Sequence, residues 1–240
     1  MKWYPGPDGG QRLWFEPGEI ETICDEELKK AGLIPTDAAP VTDLERVIEQ
    51  YLGADLDQYA DLEPHVLGFT AFPEHKVPAV SINKDLTGSA LDEEETVPGL
   101  KGRWRATLAH EASHIILHRF LFDVHLDQGQ LFTMSSEEPQ RKVMRCLKRD
   151  VGYGRSVSDW REVQANQGMA ALLMPRRLFK KAARAIRSAS GIGTPTVSSS
   201  AAVLLAQRLA ETFAVSRQAA AIRLETLQLV RPEGASALGL

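Results

Sequence analysis

The sequence has few cysteines and no long apolar run. Its only two cysteines, Cys24 and Cys146, lie far apart, so no disulfide framework is indicated and a reducing compartment fits best. No stretch approaches the run of about 18 apolar residues that a membrane-spanning helix needs. Residues 1–15 also lack the apolar core of a signal peptide. We therefore expect a cytoplasmic protein without a membrane partner.

The remaining composition is ordinary, but the charge is unevenly distributed. The chain has 240 residues and 43% hydrophobic residues, which is enough for a sizeable core. Its net charge is −4. Residues 176–231 contain ten Lys and Arg but only two Glu, so this segment carries +8 and the rest carries −12. Such a basic segment either meets an acidic partner or nucleic acid, or is a solvated helix face.

A His-Glu-x-x-His box is the most informative feature of the chain. It spans His110 to His114 within an apolar, helix-forming run, 104–120. A spacing of four residues places both imidazoles on one helix face, where they can share a Zn²⁺ ion. Glu111 lies beside them and can act as a general base. Chance alone would give about 0.01 such boxes in a chain of this composition.

A catalytic zinc needs about three protein ligands, so the box leaves one to be found. His118 is too far along the helix axis from His110, about 12 Å, to share one ion with it. We expect it to line the pocket or to support a ligand. Glu162 is the best-placed carboxylate, and Asn166 one turn later can orient a ligand. A Glu in the first turn of a helix also commonly just complements the helix dipole.

Two segments resemble the ImmA/IrrE family of zinc metallopeptidases. Residues 105–118, RATLAHEASHIILH, are similar to family helices that read RFTLAHELGHLLLH. Residues 159–175 are similar to the family pattern E-x-x-A-N-x-F-A-A-x-L-L-M-P, although Gly168 and Met169 replace its F-A pair. The resemblance implies a zincin-like fold and makes Glu162 the third zinc ligand. It covers about 42–230 and leaves out the first 40 residues.

The resemblance and the box together predict a hydrolytic mechanism. Zn²⁺, with Mn²⁺ as the alternative ion, would activate a water and polarise a peptide carbonyl. Glu111 would take the proton of the water and pass it to the leaving amine. The donor that stabilises the oxyanion stays open among Tyr153, His118 and His125. We expect His110→Ala to lose zinc, and Glu111→Gln to keep zinc but lose proteolysis.

The rest of the chain predicts an α+β fold. Apolar runs bounded by turn residues indicate two strands of a small sheet. Helical periodicity and capping signals indicate several helices, and a Gly, Ser, Thr and Pro-rich stretch at 188–200 indicates a linker. The predicted strands are 66–72 and 77–82. The predicted helices are 42–52 with Thr42 opening a capping box, 104–120, 141–149, 160–174, 176–187, 200–213 and 216–229.

The last two helices resemble a helix-turn-helix. Ser216 is placed to cap the second of them. Arg217, Gln218 and Arg223 are then candidates for contacts with DNA or a partner. Because many helical hairpins have this geometry without nucleic acid, a protein partner ranks ahead of DNA.

We therefore expect an N-terminal irregular arm (1–40), a zincin-like metallopeptidase domain (41–190) and a linker with a C-terminal helical module (191–240). The resemblance implies a substrate class, a helix-turn-helix repressor of the XRE type. The alternative is a non-proteolytic zinc-binding regulator, possibly a partner of an antitoxin-like repressor, which acts through its basic C-terminal segment on protein or DNA.

Overall fold

The computed structural model describes residues 2–5, 11–73, 76–92, 99–127, 143–147, 160–191 and 193–233. Within these ranges the protein combines helices with a small four-stranded sheet and a separate two-stranded hairpin. The predicted α+β class is confirmed. Among the described residues, no helix has both the length and the apolar character needed to span a membrane.

The secondary-structure elements are named here in chain order. They are β1 (Lys2–Pro5), β2 (Gln11–Trp14), α1 (Pro17–Ala31), α2 (Leu44–Arg46) with a π-helical continuation (Val47–Tyr51), β3 (Asp55–Ala60), β4 (Val66–Ala71), β5 (Ala79–Asn83), α3 (Lys84–Leu91), α4 (Leu100–Asp127), β6 (Val143–Leu147), α5 (Trp160–Leu173), α6 (Arg176–Ala189), α7 (Ser200–Phe213) and α8 (Arg217–Thr226).

The described part of the first 40 residues contains two strands and a helix, so the prediction of an irregular arm is wrong for 2–5, 11–14 and 17–31. β1 and β2 pair antiparallel, and α1 follows them. This helix begins with Pro17 in its first turn, and Glu16 and Glu19 form a reciprocal capping box. Glutamate is an unusual N-cap residue, so no ordinary capping signal marks the start of this helix in the sequence. Three residues at a spacing of four are buried along α1: Ile20, Cys24 and Leu28.

The four-stranded sheet has the order β3-β5-β4-β6. β3 runs parallel to β5, whereas β4 runs antiparallel to β5 and β6. β4 and β5 agree with the two predicted strands. β6 replaces the helix predicted at 141–149, which is therefore wrong. A short apolar run does not distinguish strand from helix, and pairing with β4 supplies backbone hydrogen bonds that favour the strand.

The predicted capping box at Thr42 is also absent. The Thr42 hydroxyl instead donates to the carbonyl of Leu172 at 2.6 Å. Asp43 is the N-cap, and its carboxylate accepts from the Arg46 amide at 3.1 Å. The side chain of Thr42 therefore joins this helix to the end of α5, while the neighbouring Asp43 satisfies the helix terminus.

Helix α4 lies between the sheet and α5. Between residues 104 and 118 it is buried around most of its circumference, as expected for a helix covered on several sides. On the sheet side it approaches β4 closely at Gly68, where an added Cβ would lie 2.9 Å from Thr107 Cγ2. On the other side it crosses α5 at Gly168, where an added Cβ would lie 2.6 Å from Ser113 Oγ. Gly68 and Gly168 thus permit the close approach of β4 and α5 to helix α4.

Helices α7 and α8 complete the described fold. The Ser216 hydroxyl caps α8 by accepting from the Ala219 amide at 3.1 Å. The stretch predicted as a linker is tied to the segment after α8, because the Val197 amide donates to the Arg231 carbonyl at 2.9 Å. Buried apolar residues of α7 and α8 belong to the same core cluster as those of α1, α4 and α5.

Candidate metal centre

Two histidines of α4 and one glutamate of α5 converge on one point. His110 and His114 lie one helical turn apart, and their Nε2 atoms are 3.0 Å from each other. Glu162 extends from the first turn of α5, with Oε2 at 3.0 Å from His110 Nε2 and Oε1 at 3.4 Å from His114 Nε2. Both histidines are fully buried and the glutamate is 9% exposed. The three residues form a group of metal-ligating type.

The separations fit one small cation. A tetrahedral ion with bonds of about 2.0–2.2 Å would place its ligand atoms about 3.3–3.6 Å apart. The two Nε2 atoms are 3.0 Å apart, His110 Nε2 is 3.0 Å from Glu162 Oε2 and His114 Nε2 is 3.4 Å from Glu162 Oε1, so a small expansion brings these atoms to that range. Two imidazole nitrogens and one carboxylate are also a donor set typical of catalytic zinc. The residues present therefore fit a divalent metal.

Hydrogen bonds orient each imidazole for ligation. Asn166 Oδ1 lies 3.1 Å from His110 Nδ1 and accepts its proton, which leaves the Nε2 lone pair of a neutral ring facing the site. His114 Nδ1 lies 3.1 Å from His118 Nδ1. His118 Nε2 in turn lies 3.1 Å from Gln164 Oε1. Asn166 and His118 thus contact the two histidines at Nδ1, the ring nitrogen that faces away from the site.

His118 does not join the three converging atoms. Its ring is buried and stands edge-on to Trp160, with the centroids 5.7 Å apart. Burial, supported by the charge of His114, holds the pKa of His118 well below its ordinary value. His118 is therefore a neutral imidazole near pH 7, the form that accepts one hydrogen bond and donates another.

Glu162 carries the negative charge of the site. Burial by itself would raise the pKa of its carboxyl, but the hydrogen bonds with His110 and His114 outweigh burial and hold it well below its ordinary value. For His110, burial would lower the pKa, but Glu162 and the charge of Glu111 raise it overall. Without a metal, a proton shared by His110 and Glu162 can therefore take the position of the cation.

Glu111 follows His110 on α4, and its carboxyl is close enough to His110 and Glu162 to feel their charges. Its Oε2 accepts a 2.6 Å hydrogen bond from the Thr70 hydroxyl on β4. Its Oε1 is buried and has no hydrogen-bond partner within the described ranges. Burial raises the pKa of Glu111 to about 8, against the opposing effects of His110 and Thr70. This carboxyl is therefore poised to exchange a proton near neutral pH.

The candidates for DNA or partner contact fall into two groups. Arg217 and Gln218 are exposed at the start of α8. Arg223 is buried, and its guanidinium pairs with Glu21 and donates to the carbonyl of Met174. The prediction of Arg223 as a DNA contact is wrong, because its donors are used within the chain. The two other oxyanion candidates, Tyr153 and the side chain of His125, lie outside the described residues.

Two residues of the site, Thr70 and Gln164, are not predicted from the sequence, and Gly168 is noted there only as a departure from the family pattern. Thr70 contacts Glu111, Gln164 contacts His118, and Gly168 allows the close crossing of α4 and α5. Gln164 could be found from its position, because it lies two residues after Glu162 on the same helix. Thr70 is a β-branched residue within an ordinary strand pattern, and nothing in the sequence distinguishes it.

The fold and site together define a class, an α+β protein with a His-Glu-x-x-His helix and a glutamate on a second helix. The family model for the IrrE N-terminal-like domain, Peptidase M78, matches residues 153–225. This match confirms the resemblance to the ImmA/IrrE family. It includes Glu162 but not the box, and it covers less than half of the chain. No curated protein matches the chain.

Proposed function

We propose that the protein is a zinc-dependent endopeptidase of zincin type, with His110, His114 and Glu162 as metal ligands and Glu111 as the general base. The observation that carries the proposal is the convergence of these three side chains beside a buried carboxyl with a raised pKa. The match to a peptidase family supports a metallopeptidase independently, because the matched segment excludes the box.

The residues of the chain perform three tasks in this mechanism. A bound Zn²⁺, or Mn²⁺ as the alternative, supplies Lewis acidity that activates water and polarises a peptide carbonyl. Glu111 accepts the proton of the attacking water at its carboxylate and donates it to the leaving amine. Thr70 fixes one carboxylate oxygen and leaves the other as the acceptor. Asn166 and His118 hold the two imidazoles in their ligating orientation.

The substrate class that we propose is a helix-turn-helix repressor of the XRE type, cleaved at a specific site in the cytoplasm. The resemblance to the ImmA/IrrE family supports this choice, since repressors of this type are the usual substrates of the family. We also propose the division into an N-terminal segment (1–40), a zincin-like domain (41–190) and a C-terminal helical module (191–240). In this scheme the C-terminal module resembles a helix-turn-helix and serves as a protein-docking element.

Cleavage of a purified XRE-type repressor tests the proposal. The repressor is incubated with the protein and Zn²⁺ or Mn²⁺, and matched reactions contain a chelator or the Glu111→Gln variant. We expect a discrete repressor fragment that is absent from both controls. A fragment that persists with chelator and with Glu111→Gln would refute the metallopeptidase mechanism. Cleavage of unrelated proteins, but not of the repressor, would refute the substrate class.

A second candidate function is a non-proteolytic regulator that binds protein or DNA. The observation that favours it is helix α6, which carries six Lys and Arg and no acidic residue. Most of these cations are exposed, although Lys181 pairs with Asp37. A stable complex with the intact repressor would favour this candidate, as would a DNA mobility shift that weakens steeply with salt.

A further inference from the structure

We infer that Gln164, anchored on the main-chain carbonyl of Leu13, is a positioning residue for His114 and acts through His118. The inference rests on the metal site proposed above and deepens it. It makes the N-terminal strand β2, which contains Leu13, a supporting part of that site. The three side chains and Leu13 form a relay that is defined here as Leu13–Gln164–His118–His114.

The relay has one consistent direction of donation at its outer end. The side-chain Nε2 of Gln164 lies 3.1 Å from the carbonyl oxygen of Leu13. A carbonyl oxygen only accepts, so the amide nitrogen of Gln164 must face it. This fixes the orientation of the amide group and turns its oxygen toward His118, 3.1 Å from His118 Nε2. The acceptor offered to His118 is therefore set by the backbone of β2.

The inner end of the relay follows from the number of protons on a neutral imidazole. Gln164 Oε1 accepts from His118 Nε2–H, so the single proton of His118 is on Nε2 and its Nδ1 is an acceptor. His118 Nδ1 faces His114 Nδ1 at 3.1 Å, and His114 must donate from that atom. The remaining nitrogen, His114 Nε2, keeps its lone pair and faces His110 and Glu162. That is the tautomer needed to bind a metal.

Burial makes the relay difficult to replace by water. All four members are 0% exposed: Leu13, His114, His118 and Gln164. Without the acceptor from Gln164, His118 can move its proton to Nδ1. Two donors would then face each other between His118 and His114, and His114 would move its own proton to Nε2. That shift competes directly with metal binding. Loss of comparable supporting contacts weakens metal affinity by about 10–100-fold.

Two variants on α5 test the relay by metal affinity. Gln164→Met removes both hydrogen bonds but nearly conserves volume. Gln167→Met makes the same chemical change three residues later, at an amide whose oxygen has no partner within the described ranges. Zinc affinity is measured by competition with a chromophoric chelator. We expect about 10–100-fold weaker binding for Gln164→Met than for Gln167→Met. Equal affinities would overturn the inference.

A second measurement needs no variant. Nitrogen-15 NMR of the metal-free, wild-type protein reports which ring nitrogen of each histidine carries the proton. We expect His118 protonated at Nε2, and the opposite tautomer would overturn the inference. The two proposals fail separately. If the wild-type protein cleaves the repressor and the Gln164→Met and Gln167→Met variants bind zinc equally, only the relay is refuted. If Gln164→Met weakens zinc binding but the wild-type protein cleaves nothing, only the proposed peptidase function is refuted.

Discussion

On the α5 side of helix α4, His110 and His114 have both ring nitrogens engaged or directed into the site. On the sheet side of the same turn, Glu111 has one oxygen held by Thr70 and the other without a partner among the described residues. The hydrogen bonds on the α5 side fix the direction of the imidazole lone pairs, which a metal ligand needs. The arrangement on the sheet side leaves a free acceptor, which a general base needs. The two sides differ because their proposed tasks differ.

Removing a metal ligand should have the largest effect on zinc binding and cleavage. In His110→Ala, the site loses one of its converging ligand atoms, and Glu162 loses one of the two partners that hold its pKa down. We expect zinc affinity to fall by more than about 100-fold and cleavage to disappear. Equilibrium dialysis followed by metal analysis measures the loss. His65→Ala is the matched control, because the His65 side chain is 66% exposed and should leave zinc binding unchanged.

Removing the general base should slow cleavage without weakening zinc binding. Glu111→Gln keeps the shape of the side chain but cannot accept the proton of the attacking water. We expect zinc affinity close to wild type and cleavage slower by about 10²–10⁴-fold. Parallel zinc titration and single-turnover cleavage measure the two effects. Wild-type cleavage by Glu111→Gln would contradict the role of Glu111, and loss of zinc would show that both sides of α4 support the metal.

Glu111→Gln should also change how the stability of the metal-free protein depends on pH. Burial raises the pKa of Glu111 from its ordinary value of 4.5 to about 8. The folded state therefore binds more protons than the unfolded state between those values. The contribution of Glu111 to stability is fully present below pH 4.5 and is lost as pH rises toward 8. We expect Glu111→Gln to unfold at a higher temperature than wild type at pH 8, with less difference at pH 5.

The two sides of α4 also differ in how far the sequence predicts them. On the α5 side, helical spacing predicts that His110 and His114 share one face and that Asn166 lies one turn after Glu162, whereas the choice of Glu162 as third ligand rests on the family resemblance. Local spacing is readable within one element. The contact between Thr70 and Glu111 depends on the packing of β4 against α4, and no spacing along the chain encodes that.

The errors in the fold have a similar origin. Strand β3 is not predicted because three of its six residues are polar and only Ala60 is buried, so it lacks the apolar alternation by which strands are recognised. β6 was mistaken for a helix because its pairing with β4 is a long-range interaction. Arg223 is predicted on a binding surface, but it pairs with Glu21 on α1, about 200 residues away in the chain. In each case, tertiary contacts decided the outcome.

Disturbing the crossing of α4 and α5 should weaken the ligand side alone. In Gly168→Ala, the added Cβ would lie 2.8 Å from Ser113 Cβ, so the helices must separate and carry Glu162 away from the histidines. We expect a cost of about 1–3 kcal/mol in stability and weaker zinc binding. Thermal unfolding and zinc titration measure both. Gly88→Ala is the control, because nothing lies within 4 Å of its added Cβ.

The smallest expected effect is on the base side. Thr70→Val replaces the hydroxyl by a methyl group and removes the 2.6 Å hydrogen bond to Glu111 Oε2. Thr70→Ser keeps the hydroxyl and is the matched control. We expect Thr70→Val to cleave about 10-fold more slowly, as for the loss of one hydrogen bond to a charged group. Thr70→Ser should retain most of the activity.

Zinc affinity distinguishes orientation of the base from a general disturbance of α4. The Thr70 hydroxyl contacts Glu111 and none of the three ligands, so both variants should bind zinc as wild type does. The loss in Thr70→Val should appear in kcat rather than in KM, because Glu111 acts on the attacking water and not on substrate affinity. Equal weakening of zinc binding and cleavage would instead show that β4 supports the metal ligands through α4, and the two sides would then be one unit.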